Sequence, residues 1–165
     1  MFSEDSKQPV KWQKSEAYDR IVNYCSYQER SLKDIRSKLI SHGIYHNDLE
    51  DLINQLVEEN IVNELRYASS FVRSKFKYNH WGKNKILGEL RFEQIPNSTI
   101  LKAMEEIDEK EYLLVTKSLI KKKAKSIQKS AASPVILRKK IFSFLVQKGF
   151  SYDDINLAFE GIGKL

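Results

Sequence analysis

Seven apolar positions recur three times along this 165-residue chain. Ile35, Leu39, Ile44, Leu49, Leu52, Ile53 and Leu56 form the first set. Shifted by 51 residues, the same places hold Ile86, Leu90, Ile95, Ile100, Ala103, Met104 and Ile107. Shifted by 55 more, they hold Ile141, Leu145, Phe150, Ile155, Ala158, Phe159 and Ile162. Periods of this length mark stacked helical units, each too small to bury its apolar face alone. The pattern points away from an enzyme with one deep pocket and toward an elongated surface that binds something long.

Each unit reads as three short helices. Ala17, Ile21 and Cys25 share a face at i, i+4 spacing, which predicts a helix over 15–27. Ser31 is placed to cap the next helix, with Asp34 near its positive end. That helix presents Leu32, Ile35 and Leu39 and stops at Gly43, a residue suited to a left-handed turn. Asn47 or Asp48 is placed to cap the third. In the second unit Ala68, Val72 and Phe76 repeat the first stripe, and Gly82 falls where Ser31 stood. A helix over 83–93 follows, then one opened by Pro96 with Asn97 or Ser98. Gln94 replaces the expected glycine, so a different turn is expected there. The third unit has a longer first helix, 111–129, with Leu113, Thr116, Ile120, Ala124 and Ile127 inward. A break at 130–134, a helix over 135–148 stopped by Gly149, and a last helix capped by Ser151 or Asp153 and ending near Gly161 and Gly163 complete it. No run alternates as a strand does, so no sheet is predicted.

The charge is uneven. Residues 1–63 carry 8 Lys/Arg against 11 Asp/Glu, residues 64–108 carry 8 against 6, and residues 109–165 carry 12 against 5. The C-terminal part is therefore suited to a polyanion or an acidic protein face. A solvated lysine-rich surface is the plainer alternative. No stretch approaches the ~18 apolar residues of a membrane span. The polar segment 1–14 lacks the apolar core of a secretory signal. With a single cysteine, Cys25, no internal disulfide framework is possible, and a reducing, cytoplasmic setting is predicted.

No acidic residue occurs from Leu65 to Gly88, where Arg73, Lys77, Lys83 and Lys85 stand among aromatics. Basic side chains beside aromatic rings can grip phosphates and stack on bases. Phe71 and Phe76 read as core. Trp81, at an interhelix turn, either caps a small core or faces a ligand. The run from Tyr112 to Tyr152 is also free of Asp and Glu. It holds Lys121, Lys122, Lys125, Lys129, Arg138 and Lys139 among others, a broad positive collar suited to delocalised attraction. The third helices of the first two units are acidic instead, through Glu50, Asp51, Glu58 and Glu59, and then Glu105, Glu106 and Asp108. Faces of both signs suit a nucleoprotein target.

Catalytic and metal-binding candidates are poor. His42 and His46 are four apart, but Gly43 ends the helix between them, so they do not share a face as a helical zinc pair must. All three histidines read as surface residues. Cys25 reads as a small core residue. No metal, cofactor or catalytic group is expected.

These residues resemble the RecX family, the regulators of RecA-type recombinases. Tyr67-Ala68, then Phe71-Val72-Arg73, then Gly82 nine residues later, is similar to the family's central segment. Leu39 through Gly43-Ile44 is similar to its first-unit turn, and Leu145 through Gly149-Phe150 to the same turn in the last unit. The resemblance covers roughly 15–162. It departs at Asn63-Glu64-Leu65-Arg66, where the family has acidic residues, and at Gln94. The resemblance implies a non-enzymatic modulator made of three tandem three-helix repeats. Such proteins lie along the groove of the RecA–DNA filament and suppress strand exchange, ATP hydrolysis and co-protease activity.

The expected fold is thus all-α: three tandem three-helix repeats forming an elongated, curved array. A flexible tail over 1–14 precedes repeats at 15–63, 64–108 and 109–165. The expected partner is the RecA recombinase filament, met by a monomer in the cytoplasm, with weak direct DNA contact and no membrane. Arg73, Lys77, Trp81, Lys83, Lys85, Lys121, Lys122, Lys125, Arg138 and Lys139 are the expected contact residues. The alternative is a helical module that acts directly on DNA.

Overall fold

The computed structural model describes residues 10–128 and 133–162. The first part of the expected tail, Lys129, most of the expected break after it, and Gly163 lie outside the described residues. The described residues form nine helices and no strand. They divide between Tyr67 and Ala68 into two compact units.

The first unit holds α1 (Lys14–Ser26), α2 (Leu32–Ser41), α3 (His46–Glu58) and the start of α4 (Glu64–Lys77). Ala17 and Ile21 of α1 meet Ile35, Leu39, Leu52, Ile53 and Leu56 in a closed apolar cluster. Burying each larger side chain contributes about 1.5–3 kcal/mol. The Ser31 hydroxyl accepts the Asp34 N–H at 3.0 Å and fixes the start of α2. The start of α3 departs from expectation. Its N-cap is Tyr45, with no side-chain hydrogen bond, so neither Asn47 nor Asp48 caps it. Asp48 and Asp51 instead meet Lys14 from α1. Trp12 stacks on His42 with ring centroids 3.8 Å apart, and the Trp12 backbone N–H donates to the His42 carbonyl.

The second unit runs through the rest of α4, then α5 (Lys83–Phe92), α6 (Asn97–Met104), α7 (Glu109–Ile127), α8 (Pro134–Gln147) and α9 (Tyr152–Glu160). Ser133 caps α8, with Pro134 in its first turn. Ser151 and Asp154 cap α9 reciprocally. Of the twenty-one repeated apolar positions, all but Met104 and Ile162 are buried. The inner face of α7 is rotated from the expected one. Tyr112, Thr116, Leu119, Ile120 and Ala124 are buried, whereas Leu113 and Ile127 are only half-buried. The helix starts earlier than expected, at Glu109, because the Asp108 carboxylate accepts the Glu111 N–H at 2.8 Å.

The turn after the second helix is the same in all three repeats. The Ile44, Ile95 and Phe150 N–H groups donate to the Leu39, Leu90 and Leu145 carbonyls, at 3.0–3.1 Å. This is the wrapped C-terminal turn that needs one left-handed residue. Gly43 (φ +86°) and Gly149 (φ +93°) supply it in the outer repeats. In the middle repeat Gln94 adopts φ +62° and does the same, so the expected difference is absent. A non-glycine residue there costs roughly 1–2 kcal/mol. Gln94→Gly is expected to raise stability by about 0.5–1 kcal/mol, after the greater chain entropy of glycine is subtracted. The midpoint of urea unfolding reads this directly.

The second and third repeats are joined by backbone. The Gly82 N–H donates to the Lys148 carbonyl at 2.7 Å, and the Asn84 N–H to the Gly149 carbonyl at 3.0 Å. A Cβ on Gly82 would lie 2.2 Å from the Gly149 carbonyl carbon. Tyr112 of α7 fills the space beneath. Its ring lies 5.8 Å from Phe76 and 5.2 Å from Phe150. Its hydroxyl accepts the Lys83 N–H at 3.1 Å and faces the Asp154 carboxylate at 3.4 Å. Burial pushes that hydroxyl well above its ordinary pKa.

Candidate partner-binding surface

The basic residues of the middle repeat fall into two groups. Arg73 points outward from α4, but its guanidinium is 2.9 Å from the Glu106 carboxylate. Lys83 is largely covered; its ammonium lies 2.5 Å from Glu109 and 4.6 Å from the centre of the Tyr112 ring. Both charges are neutralised within the unit. Lys83 also joins the repeats, through its backbone N–H on the Tyr112 hydroxyl and its ammonium on Glu109.

The other group keeps its charge. Trp81 is half-buried between α4 and α5, edge-on to Phe71 at 6.4 Å and 69°. The Lys85 ammonium lies 4.2 Å from the indole centroid. Lys75, absent from the expected set, lies 5.1 Å from both the Trp81 and Phe71 rings. Its signal in the sequence is its position one helical turn after Phe71. Neither lysine makes an ion pair among the described residues. Lys77, the last residue of α4, is exposed.

Phe71 is half-buried rather than core, unlike Phe76, because it stands at the edge of the α4 stripe. Phe71→Ala is therefore expected to cost about 1–2 kcal/mol, less than the 3–5 kcal/mol of a fully buried ring. Urea unfolding of the variant checks this.

In the third repeat Lys121, Lys122 and Lys125 are exposed on α7, and Arg138, Lys139 and Lys140 on α8. The Arg138 guanidinium lies over the Phe159 ring at 4.3 Å. Lys139 borders an open groove of about 560 Å³ between α7 and α8. Lys123 and Lys140, also absent from the expected set, border it too. The acidic helices are less available than their sequence implies. Glu50 pairs with Arg36, Asp51 with Lys14, and Glu106 with Arg73.

The remaining candidates behave as structural groups. Burial pushes the half-buried Cys25 thiol up, which disfavours the reactive thiolate. His42 and His46 stand on different helix ends. His42 and His80 are half-buried rather than surface residues. His42 is held by Trp12 and by the Val10 carbonyl, 2.7 Å from its Nδ1, and His80 has its Nδ1 buried. Among the described residues no group of three or more His, Cys, Asp or Glu could hold a metal, and no helix is long and apolar enough to cross a membrane.

Residues 63–104 match the model of the second three-helix domain of RecX, and residues 115–159 that of the third. Over 138 residues the chain is 31% identical to the regulatory protein RecX of Finegoldia magna, covering 84% of this chain and 67% of that one. It is 27% identical over 144 residues to the regulatory protein RecX of Bacillus cytotoxicus, covering 87% of this chain. The chain spans about half the length of that relative, 53%. Its structure is similar to the crystal structure of RecX from Lactobacillus salivarius, with a TM-score of 0.82 and 28% identity over 92% of this chain and 97% of that one.

Proposed function

The chain belongs to the RecX family, and from that premise we propose that it regulates a RecA-type recombinase by lying in the groove of the recombinase–DNA filament. There it occupies the path of the incoming duplex and of protein substrates, and so lowers strand exchange, ATP hydrolysis and co-protease activity in DNA repair and the SOS response. It acts in the cytoplasm as a monomer. Repeats at 15–63, 64–108 and 109–165 each make weak contacts that add through effective concentration.

Beyond family membership, one observation supports this reading. From Tyr112 onward α7 and α8 carry no Asp or Glu, and they display Lys121, Lys122, Lys125 and Lys139, none of them in an ion pair among the described residues. Such a field attracts a long polyanionic assembly without reading its sequence. Lys121→Glu with Lys122→Glu is expected to raise the concentration needed for half-inhibition of the recombinase ATPase by about tenfold, or 1.4 kcal/mol. Helicity should stay unchanged by circular dichroism. Unaltered inhibition would remove the α7 collar from the mechanism.

A second reading, direct DNA binding, is supported by the indole of Trp81 flanked by two free ammonium groups. Salt separates the two. Inhibition that persists at salt concentrations that abolish binding to naked DNA identifies the filament as the target. Tight, sequence-selective binding to naked duplex would overturn the leading reading.

A further inference from the structure

Helix α8 carries more apolar surface than its own unit uses. Leu137, Ile141 and Leu145 enter the core at i, i+4 and i+8. Val135, Ile136 and Val146 do not; they are 77%, 41% and 37% exposed. The groove between α7 and α8 has an apolar floor of Ile127, Ile136 and Phe144 and a rim of Lys123, Lys139 and Lys140. A second hollow, of about 470 Å³, lies beside Val135, Arg138 and Phe142 and shares Lys139 with the first. Among the described residues no carboxylate lines either one. Contiguous exposed apolar surface with a charged rim marks a site that a partner covers.

We propose that the α7–α8 groove is a docking site for an acidic amphipathic helix of a partner protein. Apolar residues at i, i+3 or i+4, and i+7 of that helix seat on Ile127, Ile136 and Phe144, the mode by which an amphipathic helix fills a groove. Its flanking carboxylates meet Lys123, Lys139 and Lys140. Charge complementarity selects an acidic occupant, and the aliphatic floor selects a peptide over a nucleic acid. A phosphate backbone would satisfy the lysines and leave the exposed Ile136 uncovered. Phe144, the one aromatic ring among the described residues that line the groove, already has the Lys123 ammonium 4.9 Å from its centre. The inference rests on the reading that the target contains protein, and it names the kind of segment that is gripped.

The test uses the full chain and a fluorescein-labelled Leu/Glu peptide of about 15 residues, roughly four helical turns, with its leucines on one helical face. The controls are a peptide of the same composition with the leucines shuffled around the helix, oligoglutamate, and oligo(dT) of the same length. The one-faced peptide is expected to bind about tenfold more tightly than the shuffled one. Ile136→Ser, at an exposed position, should erase that preference. Lys139→Glu with Lys140→Glu should weaken binding of both peptides. Equal binding of the one-faced and shuffled peptides, or oligo(dT) competing with an affinity that Ile136→Ser leaves unchanged, overturns the proposal. Recombinase ATPase measured in parallel keeps the two ideas apart. If wild-type protein inhibits and Ile136→Ser inhibits equally well, the groove is dispensable and the regulatory reading stands. If wild-type protein does not inhibit, the regulatory reading fails whatever the peptides do.

Discussion

Gly149→Ala is expected to destabilise the second unit by about 4 kcal/mol, a large share of the roughly 5–15 kcal/mol that holds a domain together. Three effects act at one atom. The residue sits at φ +93°, where a side chain is strained by roughly 1–2 kcal/mol. The new methyl would lie 2.3 Å from the Lys85 Cβ and 2.5 Å from the Lys85 backbone nitrogen, neither of which can swing away. Parting the two segments then weakens the hydrogen bonds from Gly82 and Asn84, each contributing about 1 kcal/mol. Gly82→Ala lacks the backbone strain, since its φ is −77°, but meets the same obstruction from the other side. Gly88→Ala is the control. No described residue lies within 4 Å of its added methyl, and it sits inside α5, so a gain of about 0.5–1 kcal/mol is expected. Urea unfolding followed through Trp81 in a Trp12→Phe background reports the second unit. A loss below about 1 kcal/mol in Gly149→Ala would show that the two backbones are not locked together.

Tyr112→Ala is expected to cost about 3–5 kcal/mol, and Tyr112→Phe only about 1 kcal/mol. The difference separates the ring from its hydroxyl. The ring fills the space between Phe76 and Phe150, and its loss leaves a cavity shared by α4, α7 and the turn before α9. The hydroxyl links the start of α5 to the carboxylate that caps α9. It also sets a pH response. Its pKa is raised in the folded protein, chiefly by burial, so the unfolded chain releases the proton first. The stability it contributes is intact below its ordinary pKa of 10.0 and is lost as pH climbs above it. Tyr112→Phe should flatten that alkaline decline. An unchanged alkaline slope in the variant would assign the decline to other groups.

Much of this architecture is legible in the residues. The repeated apolar positions, the Ser31 and Ser151 caps and the glycine turns at 43 and 149 all rest on local chemistry, and local chemistry is written in short windows. What stays hidden depends on residues far apart. Arg73 and Lys83 look like free cations until the fold brings Glu106 and Glu109 to them. Gly82 and Gly149 each read as ordinary helix punctuation, and nothing in either neighbourhood shows that they touch. Gln94 hides for the opposite reason. The turn is imposed by the repeat around it, so the residue tolerates a conformation that its identity does not announce. The candidate surface follows the same division. Its charge is visible as two acid-free runs, but the groove needs Ile127 and Phe144 to face each other across two helices. Lys75 and Lys123 matter through the rings that they cover, which composition cannot reveal.

The crossing of Gly82 and Gly149 also has a consequence for a chain being made on a ribosome. Synthesis runs from the N-terminus, and early-made units fold first. The core of the first unit closes with residues that precede Tyr67, so it can form as soon as they emerge. The middle repeat cannot finish. Phe76 waits for Tyr112, and Gly82 waits for Lys148, so its apolar face stays open while the next two helices are still being translated. Folding of this part is therefore paced by translation of α7 and α8, and the interval before Gly149 appears is when the nascent chain most needs protection from its neighbours.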